Sequence, residues 1–378
     1  MTRLLIADDS ALMRKLLAEI FRAEGDFEIA LARNGAEVLD LAATFRPDVV
    51  TLDVNMPVMD GLTCLSRLMI EAPCPVVMVS SLTRSAAEAT LEALDLGAVD
   101  YVAKPEGTVS LSIDRIRPVL VEKVRQAAKV RLRKALRLKE RVRHQIGSVE
   151  NRSPRDAVPV PTVQRPRTSA ARPQANAGEP DGLVLIGAST GGPQALETIL
   201  SGLPEDLPWP VLIAQHMPAT FTGIFAQRLD RLCRLAVVEV DRPRPLEPAC
   251  AYVARGDADM VVARRPSGLI VLPVPASPSF VWHPSVDRLA QSTLQHLGAS
   301  RLLGVLLTGM GNDGAQSLAR IAAEGGRTIA EAEETAVVWG MPGELTRRGG
   351  AGQVIPLQDI AAAIIREVMP HAAGQKRP

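Results

Sequence analysis

Short β-rich runs separated by helical patterns open the chain, and that alternation limits its fold more than any other feature. Leu4–Ala7, Glu28–Ala32, Val49–Val54, Val76–Ser80 and Tyr101–Ala103 read as strands. Between them Leu12, Leu16, Leu17, Ile20 and Phe21, and later Leu62, Leu65, Leu68 and Met69, recur at helical spacing. Strand–helix alternation of this kind means a parallel sheet covered on both faces. A second pattern of the same type starts at Leu183 and runs to about Val368, with strand-like runs at 183–186, 211–214, 236–240, 271–272 and 303–307. The fold class is therefore α/β twice over: a doubly wound, flavodoxin-like N-terminal domain and a doubly wound, mainly parallel C-terminal one.

At 378 residues the chain exceeds one ordinary core. The expected division is 1–120 for the first domain, 121–180 for a basic helix and Pro/Arg-rich linker, 181–370 for the second domain and 371–378 for a tail. Helical character persists from Asp114 to His144 and carries a dense run of Lys and Arg from Lys123 to Arg143. From Gly147 to Pro180 aliphatic periodicity fades, as it does in linkers. Formal net charge is only +1, so the whole-chain field favours neither nucleic acid nor membrane. No apolar run reaches the roughly 18 residues of a membrane span, and the apolar stretch after Met1 is too short for a signal peptide. The four cysteines, Cys64, Cys74, Cys233 and Cys250, stand far apart and read as thiols of a reducing compartment. A cytoplasmic protein, not an integral membrane protein, is expected.

Polar residues gather at the ends of the N-terminal strands. Asp8 and Asp9 close the first, Asp53 the third, Ser80 the fourth and Lys104 the fifth, next to Pro105. In an open parallel sheet, functional groups collect beyond the carboxyl ends of the strands. Three carboxylates there repel one another unless they share a hard cation, and Mg²⁺ suits Asp8, Asp9 and Asp53 with the backbone carbonyl of Asn55. Ser80 can hydrogen-bond an added phosphoryl group, and Lys104 supplies positive charge.

The C-terminal half carries a second constellation. After Leu183–Ile186 the chain reads Gly187-Ala-Ser-Thr-Gly-Gly192, a G-x-S-x-G that presents Ser189 at a helix N-terminus, where backbone N–H groups favour an oxyanion. His216 follows the next strand and is placed to act as its base. Asp313, after Leu303–Leu307, is cast as the group that orients His216, although it could serve only as an N-cap. The order Ser…His…Asp differs from the Ser…Asp…His of α/β-hydrolases, so membership of that fold does not follow. His283 opens a helix and could line the cleft, and Glu331, Glu333 and Glu334 read as a rim or loop.

Asp9-Ser10, Asn55-Met-Pro57 with Asp60-Gly61, and Val102-Ala-Lys104-Pro105 resemble response-regulator receiver domains. Gly187–Gly192, Gln215-His-Met-Pro218, His283-Pro-Ser-Val-Asp287 and Leu306–Gly314, with Gly340-Met-Pro342, resemble the chemotaxis receptor methylesterases of the CheB family. The resemblance implies a phosphorylation-activated hydrolase that cleaves glutamyl methyl esters on methyl-accepting chemotaxis receptors and releases methanol. Deamidation of specific glutamines comes as a second activity. It makes Asp53 the phosphoacceptor, and Ser80, Lys104 and Tyr101 the phosphorylation switch. Ser189, His216 and Asp313 become the catalytic triad, with Thr190, Gly191, Met310 and His283 at the oxyanion site or cleft. A chemotaxis histidine kinase would be the phosphodonor, Mg²⁺ would serve phosphorylation, and the catalytic domain would need no cofactor.

The family usually has Ala-Pro-Gly and then a nearby His where this chain reads Ala254-Arg-Gly-Asp-Ala-Asp259, a loop expected to border the substrate groove. One rival reading keeps the hydrolase or adaptor but attaches it to a receptor-like system other than chemotaxis. Another makes the Lys123–Arg143 run a nucleic-acid binder. No helix-turn-helix follows that run, so no specific nucleic acid is expected.

Overall fold

The computed structural model describes residues 1–104, 109–130 and 180–369. Pro105, the basic stretch from Arg131 to Arg143, His144, linker residues 147–179 and the 371–378 tail lie outside the described residues.

The N-terminal domain interleaves β1 (Thr2–Ala7), α1 (Ala11–Glu24), β2 (Phe27–Ala32), α2 (Gly35–Phe45), β3 (Val49–Asp53), α3 (Gly61–Glu71), β4 (Val76–Ser80), α4 (Arg84–Asp95), β5 (Asp100–Ala103) and α5 (Val109–Lys129). Its strands pair in the order β2-β1-β3-β4-β5, every pair parallel. Every residue of β3 and β4 is buried, as a sheet covered on both faces requires. Short polar side chains start the helices. Ser10, Asn34, Asp60 and Thr83 each accept the N–H of the residue three places on, satisfying a donor the helix itself leaves open.

Helix α5 runs across residue 120, the limit expected for the first domain. Leu120, Val121, Val124 and Ala127 pack in one cluster with Leu4, Leu17 and Phe21, because the apolar stripe of this helix closes one face of the sheet. The basic residues opposite are paired: Arg117 and Arg125 hold Glu24 at 2.9 and 3.0 Å, and Arg125 also holds Asp26 at 3.0 Å. Of the run itself, Lys123 and Arg125 are thus paired with the domain's own acids.

The C-terminal domain contains β6 (Leu183–Ala188), α6 (Gly192–Gly202), β7 (Val211–Gln215), α7 (Ala219–Leu232), β8 (Ala236–Val240), β9 (Arg244–Pro245), β10 (Cys250–Ala254), β11 (Ala258–Arg265) and β12 (Gly268–Pro275). It continues with α8 (Val286–Leu297), β13 (Leu302–Leu306), α9 (Ala315–Ala323), β14 (Arg327–Glu331), α10 (Met341–Arg347), β15 (Gln353–Ile355) and α11 (Leu357–Val368). Seven parallel strands run in the order β15-β14-β13-β6-β7-β10-β8. The expected strand at 271–272 does not join them. It belongs to β12, which pairs antiparallel with β11 and β9 in a separate three-stranded sheet. The expected 254–259 loop is likewise shorter, since Ala254 ends β10 and Ala258 already begins β11.

The two domains meet along α4, β5 and α5 on one side and α6 and α7 on the other. Tyr101 stacks on Phe221 at 4.7 Å between ring centroids. The Thr190 hydroxyl donates to Asp100, and the Gln194 amide donates to the Leu94 carbonyl. Arg228 of α7 bridges Asp95 of the first domain and Glu197 of α6, the latter at 2.5 Å. Lys123 fixes Asp100 from behind at 2.8 Å and takes the Tyr101 carbonyl at 2.8 Å.

Candidate functional site

Register brings the C-terminal candidates together. Ala188 of β6 lies opposite Gln215 of β7, so Ser189 and His216 are the next residues past two adjacent strand ends. The His216 N–H donates to the Ala188 carbonyl at 3.1 Å and holds that alignment one step beyond the sheet. On the other side of β6, Leu306 of β13 pairs with Gly187, and the chain continues through Thr308 to Asp313.

The turn after β6 needs its glycines. Gly191 has φ +76°, a left-handed conformation that favours glycine, and it caps α6 with Pro193 in the first turn. Across the site, a Cβ on Gly309 would lie 2.7 Å from the Ser189 Cβ, so only glycine lets the 309–311 segment approach the serine. The Ser189 N–H is taken by the Thr308 carbonyl at 3.0 Å, and the Thr308 hydroxyl donates to the Thr190 carbonyl at 2.8 Å.

Two contacts hold the His216 ring. Its Nε2 hydrogen-bonds Asp313 Oδ2 at 2.9 Å, and Trp282 stacks on the ring at 5.1 Å and 7°. Nδ1 is buried without a hydrogen-bond partner. Asp313 also accepts the Ser285 hydroxyl at 3.0 Å and the N–H groups of Val286 and Asp287 at 2.7 and 3.0 Å. Burial alone would push its carboxyl up, but the His216 hydrogen bond and these N–H groups carry it below the usual 3.8. An anion thus fixes one imidazole nitrogen, while the other is left able to take a proton beside a candidate nucleophile. Asp313 does more than cap a helix.

Ser189, His216, Trp282 and His283 line a cavity of about 360 Å³ whose opposite wall is Tyr101, Val102, Val119 and Lys123 of the first domain. Of the remaining candidates, Met310 is buried after β13, and Thr190 has its hydroxyl on Asp100. His283 Nδ1 hydrogen-bonds Asp259 Oδ1 at 2.9 Å, a partner the sequence reading passed over inside the supposed loop. Gln215 was also passed over: its side-chain amide donates to the carbonyls of Ser189 and His216 at 3.0 and 3.2 Å.

Glu331, expected on a rim, instead ends β14 fully buried, and its Oε2 accepts the Thr308 N–H at 2.8 Å. Burial pushes its carboxyl above the usual 4.5, against the opposing pull of the Thr308 N–H. A raised acid contributes stability that is complete below 4.5 and is lost as pH rises through its folded value. In urea unfolding, Glu331→Gln is therefore expected to gain on the parent chain as pH rises. A stability difference, variant minus parent, that stays constant or falls with rising pH would sink this reading.

At the N-terminal site, the ligand oxygens of Asp8, Asp9 and Asp53 lie within 4.8 Å of one another. Lys104 Nζ holds Asp8 and Asp53 at 2.8 Å each. Burial, joined by the charge of Asp8, sets Asp53 above 3.8 despite Lys104. Burial would lower Lys104, but the hydrogen bonds it donates to Asp53 and Asp8 raise it above 10.5. Three clustered carboxylate oxygens with one cation beside them fit a hard divalent ion. Asn55 follows β3 and meets the Asp53 carboxylate through its backbone N–H. Ser80 is buried, and its hydroxyl is turned to the Ala86 carbonyl at 3.4 Å rather than to the acids. Tyr101 is buried in the domain interface with its hydroxyl unpartnered.

The family profile described as CheB methylesterase matches residues 184–364, and that of the response regulator receiver domain matches residues 4–113. A protein-glutamate methylesterase/protein-glutamine glutaminase of Rhodopseudomonas palustris is 61% identical over 97% of this chain and 98% of its own length. One from Rhodospirillum rubrum is 51% identical over 96% of this chain and 95% of its own. Among solved structures, the Thermotoga maritima CheB methylesterase catalytic domain is 33% identical, with a TM-score of 0.48, over 50% of this chain and 99% of that one.

Proposed function

The chain belongs to the CheB methylesterase family and carries a response regulator receiver domain, and from that premise we propose that it is a phosphorylation-activated protein-glutamate methylesterase and glutaminase acting on methyl-accepting chemotaxis receptors. The single observation that carries the site assignment is the buried, unpartnered Nδ1 of His216 on a ring whose other nitrogen is anchored by Asp313.

In this reading the Ser189 hydroxyl attacks the side-chain carbonyl of a methylated glutamate while Nδ1 of His216 takes its proton. Thr190 and Gly191 at the helix N-terminus, with the Met310 segment, steady the oxyanion, since the Ser189 N–H is engaged by Thr308. The imidazolium, stabilised by ionised Asp313, returns the proton to the departing methoxide. Water then resolves the acyl-enzyme by the same route in reverse. The stacked Trp282 shields this exchange from solvent.

At the receiver end, Asp53 accepts phosphate from a chemotaxis histidine kinase. Asp8, Asp9 and Asp53, with the carbonyl of Asn55, would hold Mg²⁺, which supplies charge neutralisation for the incoming phosphoryl group. Lys104 turns from its two carboxylates to the phosphate, and the Ser80 hydroxyl leaves the Ala86 carbonyl for it. Tyr101 then withdraws from Phe221. In the unphosphorylated arrangement the receiver walls off the cavity, so the coupling is autoinhibition. In this reading the receiver occupies about 1–120, the basic helix and linker 121–180 and the catalytic domain 181–370, with α5 running on from the receiver across the first limit.

Methanol release from radiolabelled, methylated receptors, with and without a small phosphodonor, tests substrate and control together. Stimulation by the phosphodonor is expected, and no release under either condition defeats the reading. Asp95→Ala removes one strand of the interface while leaving Arg228 on Glu197. A half-exposed ion pair is worth about 0.5–1 kcal/mol, so basal release should rise roughly 2- to 5-fold. Unchanged or lower basal release would count against a closing role for this interface.

A further inference from the structure

A second imidazole–carboxylate pair stands on the same cavity wall. Asp259 is buried and accepts from His283 Nδ1, from the Ser285 N–H at 2.8 Å and from Arg288 Nη1 at 2.5 Å. Arg288 is itself pinned to the Pro275 carbonyl at 2.7 Å. The two pairs are joined by one residue, because Ser285 gives its N–H to Asp259 and its hydroxyl to Asp313. His216 and His283 are thus positioned by a common loop, with Trp282 stacked on the former.

An aspartate engaged by a guanidinium and a backbone N–H accepts rather than donates, so His283 must carry its proton on Nδ1. Its other nitrogen, Nε2, then keeps a lone pair, on a ring that lines the cavity also holding Ser189 and His216. A lone pair there distinguishes the two substrate classes. The methoxy group of an ester has no N–H to offer, whereas a primary amide has two. We propose that His283, oriented by Asp259, is the residue that selects the amide: its Nε2 accepts one N–H of a glutamine side chain.

This rests on the reading above and assigns a role within it. The bond from Ser189 Oγ to the amide carbon forms and the C–N bond breaks. The serine proton reaches the leaving nitrogen through His216, so that ammonia departs, and His283 changes no protonation state. Holding one N–H on His283 turns the nitrogen's developing lone pair toward His216, the geometry that protonation of a poor leaving group requires. Asp259 acts only through His283 and is a positioning residue.

The test compares ammonia release from glutamine-bearing receptors with methanol release from methylated ones. It uses the full-length, phosphodonor-treated chain and its His283→Phe and Asp259→Asn variants, each confirmed folded by thermal melting. Phenylalanine keeps the ring's bulk without the acceptor. The ratio of ammonia to methanol release should fall 10-fold or more in His283→Phe and move in the same direction in Asp259→Asn. A ratio that stays put, whether both activities drop together or neither does, overturns the proposal. An unsubstituted chain that releases methanol but no ammonia overturns it while leaving the esterase reading intact, and one that releases neither overturns both.

Discussion

Ser189→Ala is expected to lower turnover by roughly 10⁵–10⁶-fold, the scale on which loss of a triad nucleophile acts. The change removes one oxygen from a side chain whose surroundings are held by the backbone. The Ser189 N–H still meets the Thr308 carbonyl, and Gly192 still donates to the Ser189 carbonyl at 2.8 Å. Gly309 still has room beside the β-carbon. The turn should keep its shape, and phosphorylation at Asp53 should be untouched. Residual rate then measures what the oxyanion donors and binding supply alone. Methanol release within 10-fold of the parent's would remove Ser189 from the mechanism.

Asp313→Asn should cost about 10³–10⁴-fold, slightly less because nucleophile and base both survive. The carboxylate accepts from His216, Ser285, Val286 and Asp287. An amide can satisfy some of those donors but brings no charge to support the imidazolium, and its NH₂ cannot accept from Nε2. The loss should fall on turnover rather than on substrate affinity. A pH signature accompanies it. The Asp313 carboxyl lies below 3.8, so its contribution to stability is present above that value and is lost as pH falls through the lower folded one. The stability gap between parent and variant should therefore narrow in strong acid. A gap that widens there, or a variant with full turnover, would mean that Asp313 is only a cap.

Much of the fold and of the candidate site is legible in the sequence because the candidate residues sit where strands end. Asp53, Ser189 and His216 each follow a hydrophobic run that burial on two faces makes conspicuous. Residues acting from behind gave no such signal. Glu331 sits in an acidic run that resembles solvated surface, and only the parallel pairing of β13 with β14 carries it under Thr308. Asp259 was hidden differently: it lies where a familiar turn is missing, yet β11 begins one residue earlier and aims it at His283. Strand β10, with two alanines in five residues, offered little β-branched character to detect. On α5 a basic stripe runs beside the apolar one that joins the core of the first sheet, which makes the inner face of that helix hard to read from residue types alone.

Tyr101 and Lys123 form a wall of the cavity that Ser189 opens into, and this has a thermodynamic corollary. If substrate must displace that wall and phosphate favours its displacement, the two ligands are linked, and linkage runs both ways with equal strength. An enzyme already docked on a methylated receptor would be the readier phosphoacceptor and would hold its phosphoryl group in the more favourable equilibrium. The receptor array would then set not only where the esters are cut but also which enzyme molecules are charged to cut them.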